Sequence, residues 1–162
     1  MGGVMHSRLL ARSCAFVVLL PLLPSLGGFA QTASAPLDSP VGRWKTVDDK
    51  TGNVKSIVAI REDNGTLHGT IEQVLDPDAP MVNPLCIRCE GDLKDHPLLG
   101  MEILWGMTKA SGQWSGGQVL DPDNGKIYRC YLAPEDGGKK LKVRGYIGFA
   151  LLGRTQYWMR VE

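Results

Sequence analysis

The sequence has no long hydrophobic run, no cluster of charge of one sign and only three histidines, and each shortage removes a class of function. Its longest apolar stretch, about a dozen residues from Ala15 to Leu26, is too short to span a bilayer comfortably. Eighteen basic residues face seventeen acidic ones, a net charge of +1 spread along the chain. Nucleic-acid binding requires a clustered basic surface, so that class is excluded. No paired general acid and base, no Ser-His-Asp arrangement and no phosphate-cradling glycine loop stands out, and the expectation is a protein without enzymatic turnover. Amphipathic helices are also missing, with at most one turn near His96 to Met101. There is no internal repeat.

What is present begins with an address. His6, Arg8 and Arg12 precede the apolar stretch, and small residues at Gly28 and Ala30 mark a cleavage site, the pattern of a secretory signal peptide over residues 1–30. A cut after Ala35 is disfavoured by Pro36. Cys14 lies between Arg12-Ser13 and further apolar sequence, which is not a lipoprotein cleavage box. Loss of Arg8 and Arg12 leaves sixteen basic against seventeen acidic residues, so the mature chain from Gln31 carries −1 over 132 residues. That length suits a single domain. Residues 31–40, rich in Ser, Ala and Pro, read as a flexible lead-in to a domain spanning 41–162, located in the periplasm or secreted from a Gram-negative envelope.

Eight short strand patterns follow residue 40: 41–47, 54–61, 66–74, 101–107, 113–120, 126–132, 140–147 and 155–161. The third alternates Leu67, Gly69 and Ile71 against His68, Thr70 and Glu72, as a half-buried strand does. Asn64-Gly65 is a strong hairpin turn, and Lys109 to Gly112, Asp121 to Gly125 and Glu135 to Gly138 are comparably tight. Sequential strands joined this way pair antiparallel. The fold class is therefore all-β, an eight-stranded up-and-down barrel with one long loop, 75–100, between strands 3 and 4. A loop of that length in a compact barrel is often functional.

The loop carries Cys86-Ile87-Arg88-Cys89. In an oxidising compartment this pair is a disulfide candidate that would stiffen the loop. Redox catalysis wants such a motif at a helix start beside a βαβ unit, and haem attachment wants His where Glu90 stands; neither condition is met. Metal binding is the weaker alternative: Cys86, Cys89 and His96 lie within eleven residues, and His68 or Cys130 could supply a fourth ligand. Cys130 makes the mature cysteine count odd. Its place beside Tyr128 and Leu132 on one strand face favours a buried thiol, although pairing with a loop cysteine is open.

Gly42-x-Trp44 on the first strand and Arg160 on the last resemble the pair that packs across the closing strands in the calycin superfamily of lipocalins, fatty-acid-binding proteins and avidins. Further motifs extend the likeness: Gly42-Arg43-Trp44-Lys45-Thr46, Cys86-x-x-Cys89-x-Gly91, Leu99-Gly100-Met101, Gly116-Gly117-x-x-Leu120-Asp121-Pro122-x-Asn124-Gly125-Lys126-x-Tyr128, Arg144-Gly145-Tyr146-Ile147-Gly148 and Leu152-Gly153-Arg154-Thr155-Gln156. In that order, from Val41 to the end, they resemble the secreted bacterial family called domain of unknown function 2147. The resemblance implies a lipocalin-like barrel in the Gram-negative envelope and supplies no functional residue.

Physically these motifs are mostly structural. Gly116-Gly117 and Gly145 suggest bulges or corners. Asp121 to Gly125 lacks the glycine position and the twelfth-position glutamate of an EF-hand loop and reads as a turn. Trp44 and Arg160 read as barrel-end packing. Gly148-Phe149-Ala150-Leu151-Leu152-Gly153 is apolar where a turn is normally polar; it must be covered, dip into the mouth, or touch a membrane or partner. Trp105, Trp114, Tyr146, Phe149, Tyr157 and Met159 are the candidate lumen or mouth residues. The expectation is a binding module for a small apolar ligand, with no cofactor. The competing readings are a filled barrel docking an envelope protein and a Cys/His metal or redox element in the loop.

Overall fold

The computed structural model describes residues 1–3, 38–80, 82 and 84–162; all but the first three residues of the expected signal peptide, and most of the expected lead-in, lie outside the described residues. From Gly42 onward the chain forms eight antiparallel strands closed into a barrel in sequence order. They are β1 (Gly42–Val47), β2 (Val54–Asp63), β3 (Thr66–Val74), β4 (Glu102–Ala110), β5 (Gln113–Asp121), β6 (Lys126–Glu135), β7 (Lys140–Tyr146) and β8 (Gly153–Arg160). Single 3₁₀ turns occupy Gly91–Leu93 and Asp136–Gly138. The single turn expected near His96 to Met101 is present, with Met101 N donating to Leu98 O at 3.1 Å, and the 3₁₀ turn of this segment lies earlier, at Gly91–Leu93.

Local chemistry explains the meander. Asn64 and Gly65 both adopt positive φ, 49° and 78°, which is the backbone a two-residue hairpin needs to match strand twist. Closure depends on β1 meeting β8, where Trp44 pairs with Arg160 and Lys45 with Met159. The register of β5 against β6 shifts between Trp114 and Gly117, at the Gly116-Gly117 pair. Bulges of this kind tighten the coil of a small barrel.

Parity decides what is inside. Val58 and Ile60 of β2, Leu67 and Ile71 of β3, Cys130 and Leu132 of β6, and Leu141 and Val143 of β7 belong to one buried cluster. Strict alternation fails on β4. Leu104 and Met107 are both fully buried, and Gly106 between them has φ of 70°, so the strand turns over there and Trp105 faces outward. Its indole Nε1 donates to Gln118 Oε1 at 3.1 Å.

The strand directions put two kinds of connection at opposite ends. The β2–β3, β4–β5 and β6–β7 turns share one end with the start of β1 and the finish of β8. The other end carries the β1–β2, β5–β6 and β7–β8 connections and the long segment between β3 and β4.

Candidate functional site

The first end is sealed. Trp44 is fully buried, its Nε1 donates to Pro40 O at 2.7 Å, and the Arg160 guanidinium lies 4.2 Å from the centre of its ring. Arg160 satisfies three backbone carbonyls, donating from Nε to Gly138 O (2.6 Å), from Nη1 to Val41 O (3.0 Å) and from Nη2 to Ser39 O (2.8 Å). Burial lowers its pKa from the ordinary arginine value. Leu67, Met107, Trp114, Leu132 and Leu141 are buried beneath it and fill the interior at this end.

The second end is hollow. A cavity of about 170 Å³ opens there. Its wall is aliphatic and aromatic, with Ile71, Ile103, Val119, Val143 and Trp158, and the backbone of Gly145 leaves room beside Tyr128. Two hydroxyls lie within it, Thr46 and Ser56, whose oxygens share one hydrogen bond of 2.7 Å. Gln156 also lines it. Cavities of about 150 Å³ with apolar walls accept a benzene ring, which sets the scale of the guest.

Charge is confined to the rim. Lys55 Nζ lies 2.5 Å from Asp76 Oδ2 and 3.1 Å from Asp123 Oδ1. Burial alone would lower the pKa of Lys55, but the two carboxylates raise it. Asp76 is desolvated too, yet hydrogen bonding to Lys55 holds its carboxyl below the usual range. Opposite, Arg154 Nε donates to Asp49 Oδ2 at 2.6 Å, and its Nη1 is 3.7 Å from Asp121 Oδ2. Although desolvation opposes it, Asp49 raises the Arg154 pKa. Asp121 is the exception among these carboxylates, because burial raises its pKa above the ordinary value of 3.8. Its oxygens accept from Asp123 N (3.0 Å) and Asn124 Nδ2 (2.9 Å), which organises the β5–β6 turn.

The segment between β3 and β4 lies over this turn. Cys86 and Cys89 form a disulfide, and both are buried in the main apolar cluster. Leu120 belongs to that cluster although it has the opposite parity to Val119. Arg88 Nη1 donates to Asp123 O at 2.6 Å. A Cβ on Gly125 would stand 1.8 Å from Arg88 O, so only glycine permits this approach, and its φ of 71° suits glycine as well. Asp76, Ala79 and Leu98 carry the same segment into the cavity wall. The loop is a docked cover.

The structure redistributes the residues singled out from sequence. Trp114 is buried in the sealed half. Trp105 faces outward and lines a shallow surface groove with His96 and Leu99. Tyr146 lies on the outer parity of β7, while Phe149, Tyr157 and Met159 are exposed. None of the six lines the cavity; the strands present the opposite parity at this end, and the glycine break in β4 turns Trp105 out. The metal alternative loses its two thiolate donors, since the disulfide binds both sulfurs. Among the described residues no group of three His, Cys, Asp or Glu side chains is placed to hold a metal ion. Cys130 is a free, buried thiol whose pKa burial pushes up to about 12. It has no thiolate for chemistry at neutral pH.

Thr46, Lys55, Asp121 and Arg154 were not legible as site residues from the sequence. Lys55 follows a turn and Arg154 follows an apolar connection, and neither position carries a local signal of a site. Only closure of the barrel brings residues 105 positions apart, Asp49 and Arg154, into one ion pair.

Residues 42–160 match the profile of a family described as uncharacterized protein conserved in bacteria, DUF2147. Among solved structures, the fold is similar to that of protein HP1028 from Helicobacter pylori, described as belonging to the lipocalin family. The TM-score is 0.66 at 19% identity, covering 77% of this chain and 84% of that one. No curated protein matches the sequence.

Proposed function

We propose that this chain, which belongs to the bacterial DUF2147 family and has a lipocalin-like barrel, is a non-enzymatic binding protein of the bacterial envelope that takes one small, largely apolar molecule in its open end. The observation that carries the reading is the contrast within one lumen, packed solid at the Trp44 end and hollow at the other over about 170 Å³. A fold that can fill half its interior with large side chains leaves the other half lined by Ile, Val and Gly positions and rimmed by charge. Apolar walls with a few placed polar groups are the usual composition of a ligand site.

Binding without turnover is supported by how the rim charges are engaged. Lys55 is held by two carboxylates and Arg154 by Asp49, so both cations are committed to ion pairs. The envelope location is supported by the apolar leader with its small-residue cleavage site and by a disulfide of the kind an oxidising compartment permits.

The test is native mass spectrometry of protein recovered from the periplasm of an expressing bacterium. A reproducible organic adduct, lost on denaturation and absent from a Val143→Phe variant that fills the cavity, is the expected result. An adduct that persists in that variant overturns the reading, as does an empty wild-type protein that takes up no small apolar compound when titrated. Hydrolytic turnover that survives repurification would overturn the non-enzymatic part.

A further inference from the structure

The β7–β8 connection presents an apolar surface that nothing among the described residues covers. Ile147 is 60% exposed, Phe149 79%, Leu151 91% and Leu152 74%. Contiguous exposure of this kind marks an interaction surface, since single exposed apolar residues are ordinary but a run of them is not.

The backbone beneath is organised in an informative way. Arg144 donates from Nη2 to Ala150 O (2.8 Å) and Leu151 O (3.3 Å), and from Nε to Ala150 O (3.3 Å). Its Nη1 donates to Thr155 Oγ1 at 3.0 Å, while Leu152 N donates to Phe149 O at 3.0 Å. One guanidinium thus satisfies two of the turn's carbonyls, Ala150 O and Leu151 O, from within the chain. A loop meant for water does not need this; a loop entering a medium without hydrogen-bond partners does.

The surface behind the turn has matching chemistry. On the outer parity of β6 stand Ile127, Arg129 and Tyr131, registered against Tyr146 and Arg144 of β7, with Tyr157 beyond on β8. No carboxylate occupies the outer positions from Ile127 to Ala133, Lys142 to Tyr146 or Thr155 to Met159. Glu135, toward the sealed end, is already paired with Lys142 at 3.6 Å. An apolar tip backed by tyrosines and arginines is the composition of an interfacial anchor, in which rings sit at headgroup depth and cations meet anionic lipid.

We propose that the β7–β8 turn docks the barrel on a lipid bilayer, with Phe149, Leu151 and Leu152 entering the headgroup boundary and Arg129 facing anionic headgroups. The collar behind the turn carries no carboxylate at its outer positions and is complementary in charge to a phospholipid surface. The turn borders the cavity mouth, where Arg154 follows it in the chain. The inference stands apart from the ligand reading, because an empty barrel would dock equally well.

Sedimentation with phosphatidylcholine vesicles, with and without phosphatidylglycerol, tests it on protein recovered from the periplasm of an expressing host. Binding to both is expected, tighter with phosphatidylglycerol and weakened by salt. The double substitution Phe149→Ser with Leu151→Ser should reduce binding to both by about tenfold or more, and Arg129→Glu should remove only the gain from phosphatidylglycerol. The substituted side chains are exposed, and an unchanged unfolding midpoint verifies the fold. Failure of the wild type to sediment, or sedimentation indifferent to the double substitution, overturns the proposal. So does concentration-dependent self-association that the same substitution abolishes, since a second copy would then cover the turn.

Discussion

The two ends of this barrel are built from the same alternating strands and differ in what fills them. At the sealed end the polar groups turn inward to the backbone: Trp44 Nε1 reaches Pro40 O and the Arg160 guanidinium reaches three carbonyls. At the open end the polar groups also pair, but around a void. Lys55 bridges Asp76 and Asp123, and Arg154 reaches Asp49, just beyond the neighbouring strand β1. The lesson is that packed side chains and backbone-directed hydrogen bonds close one end, while a ring of ion pairs surrounds a void at the other. Stability belongs to the first and ligand access to the second.

Substitutions should separate these roles, and the largest effect belongs to the sealed end. Trp44→Ala removes a fully buried indole and its stacked guanidinium and should destabilise the barrel by about 3–5 kcal/mol, read from urea denaturation. A loss under about 1 kcal/mol would mean the sealed end does not hold the fold.

At the open end the sharpest probe is Gly125→Ala. The added Cβ collides with the Arg88 carbonyl, and the expected outcome is a displaced cover at a loss of about 1–3 kcal/mol. Hydrogen exchange should rise at residues 86–98 and remain unchanged at Leu67 and Leu132. Exchange that accelerates throughout the barrel would show that the cover is part of the core.

Opening the disulfide is the milder version. Replacing Cys86 and Cys89 by serine removes a cross-link closing a very short loop, and a loss of about 2 kcal/mol or less is expected in an unfolding titration. The cover should loosen while Trp44 fluorescence keeps its buried character.

These comparisons also show what was legible beforehand. The strand count, the Asn64-Gly65 hairpin, the Gly116-Gly117 irregularity and the Trp44–Arg160 closure are local signals, each set by a turn conformation or a strand motif. The cavity was not legible. The face that Trp105 presents depends on the break at Gly106, and the pairing of Asp49 with Arg154 depends on closure of a barrel whose first and last strands are far apart in sequence. The burial of Leu120 depends on the cover, which cannot be placed from strand periodicity.

The smallest effects concern charge at the mouth. Lys55→Met should change stability by no more than about 1 kcal/mol, since Asp123 is largely exposed, but should raise hydrogen exchange at Asp78 and Ala79. Unchanged exchange there would show that the ion pairs do not fasten the cover. In pH titrations the two aspartates should act oppositely. Asp76, hydrogen-bonded to Lys55 and depressed below 3.8, contributes stability that is present above that value and lost as pH falls through its folded pKa. Asp121, raised by burial, binds its proton more readily in the folded state, so its ionisation weakens the fold as pH rises from 3.8 through the folded pKa and acidification relieves it. Carboxyl-resolved NMR should find Asp121 titrating above Asp76; the reverse order would contradict the mouth electrostatics.

The most direct test is an NMR titration of the protein with small amphiphiles of roughly benzene size, such as phenol and hexylamine, followed at residues of both ends. The account predicts saturable shifts at Ile71, Ile103, Val119, Val143 and Trp158, none at Leu67, Leu132 or Leu141, and loss of the response in Val143→Phe. Shifts that never saturate, or that centre on the Trp44 end, would contradict the claim that this barrel is a container with one open mouth.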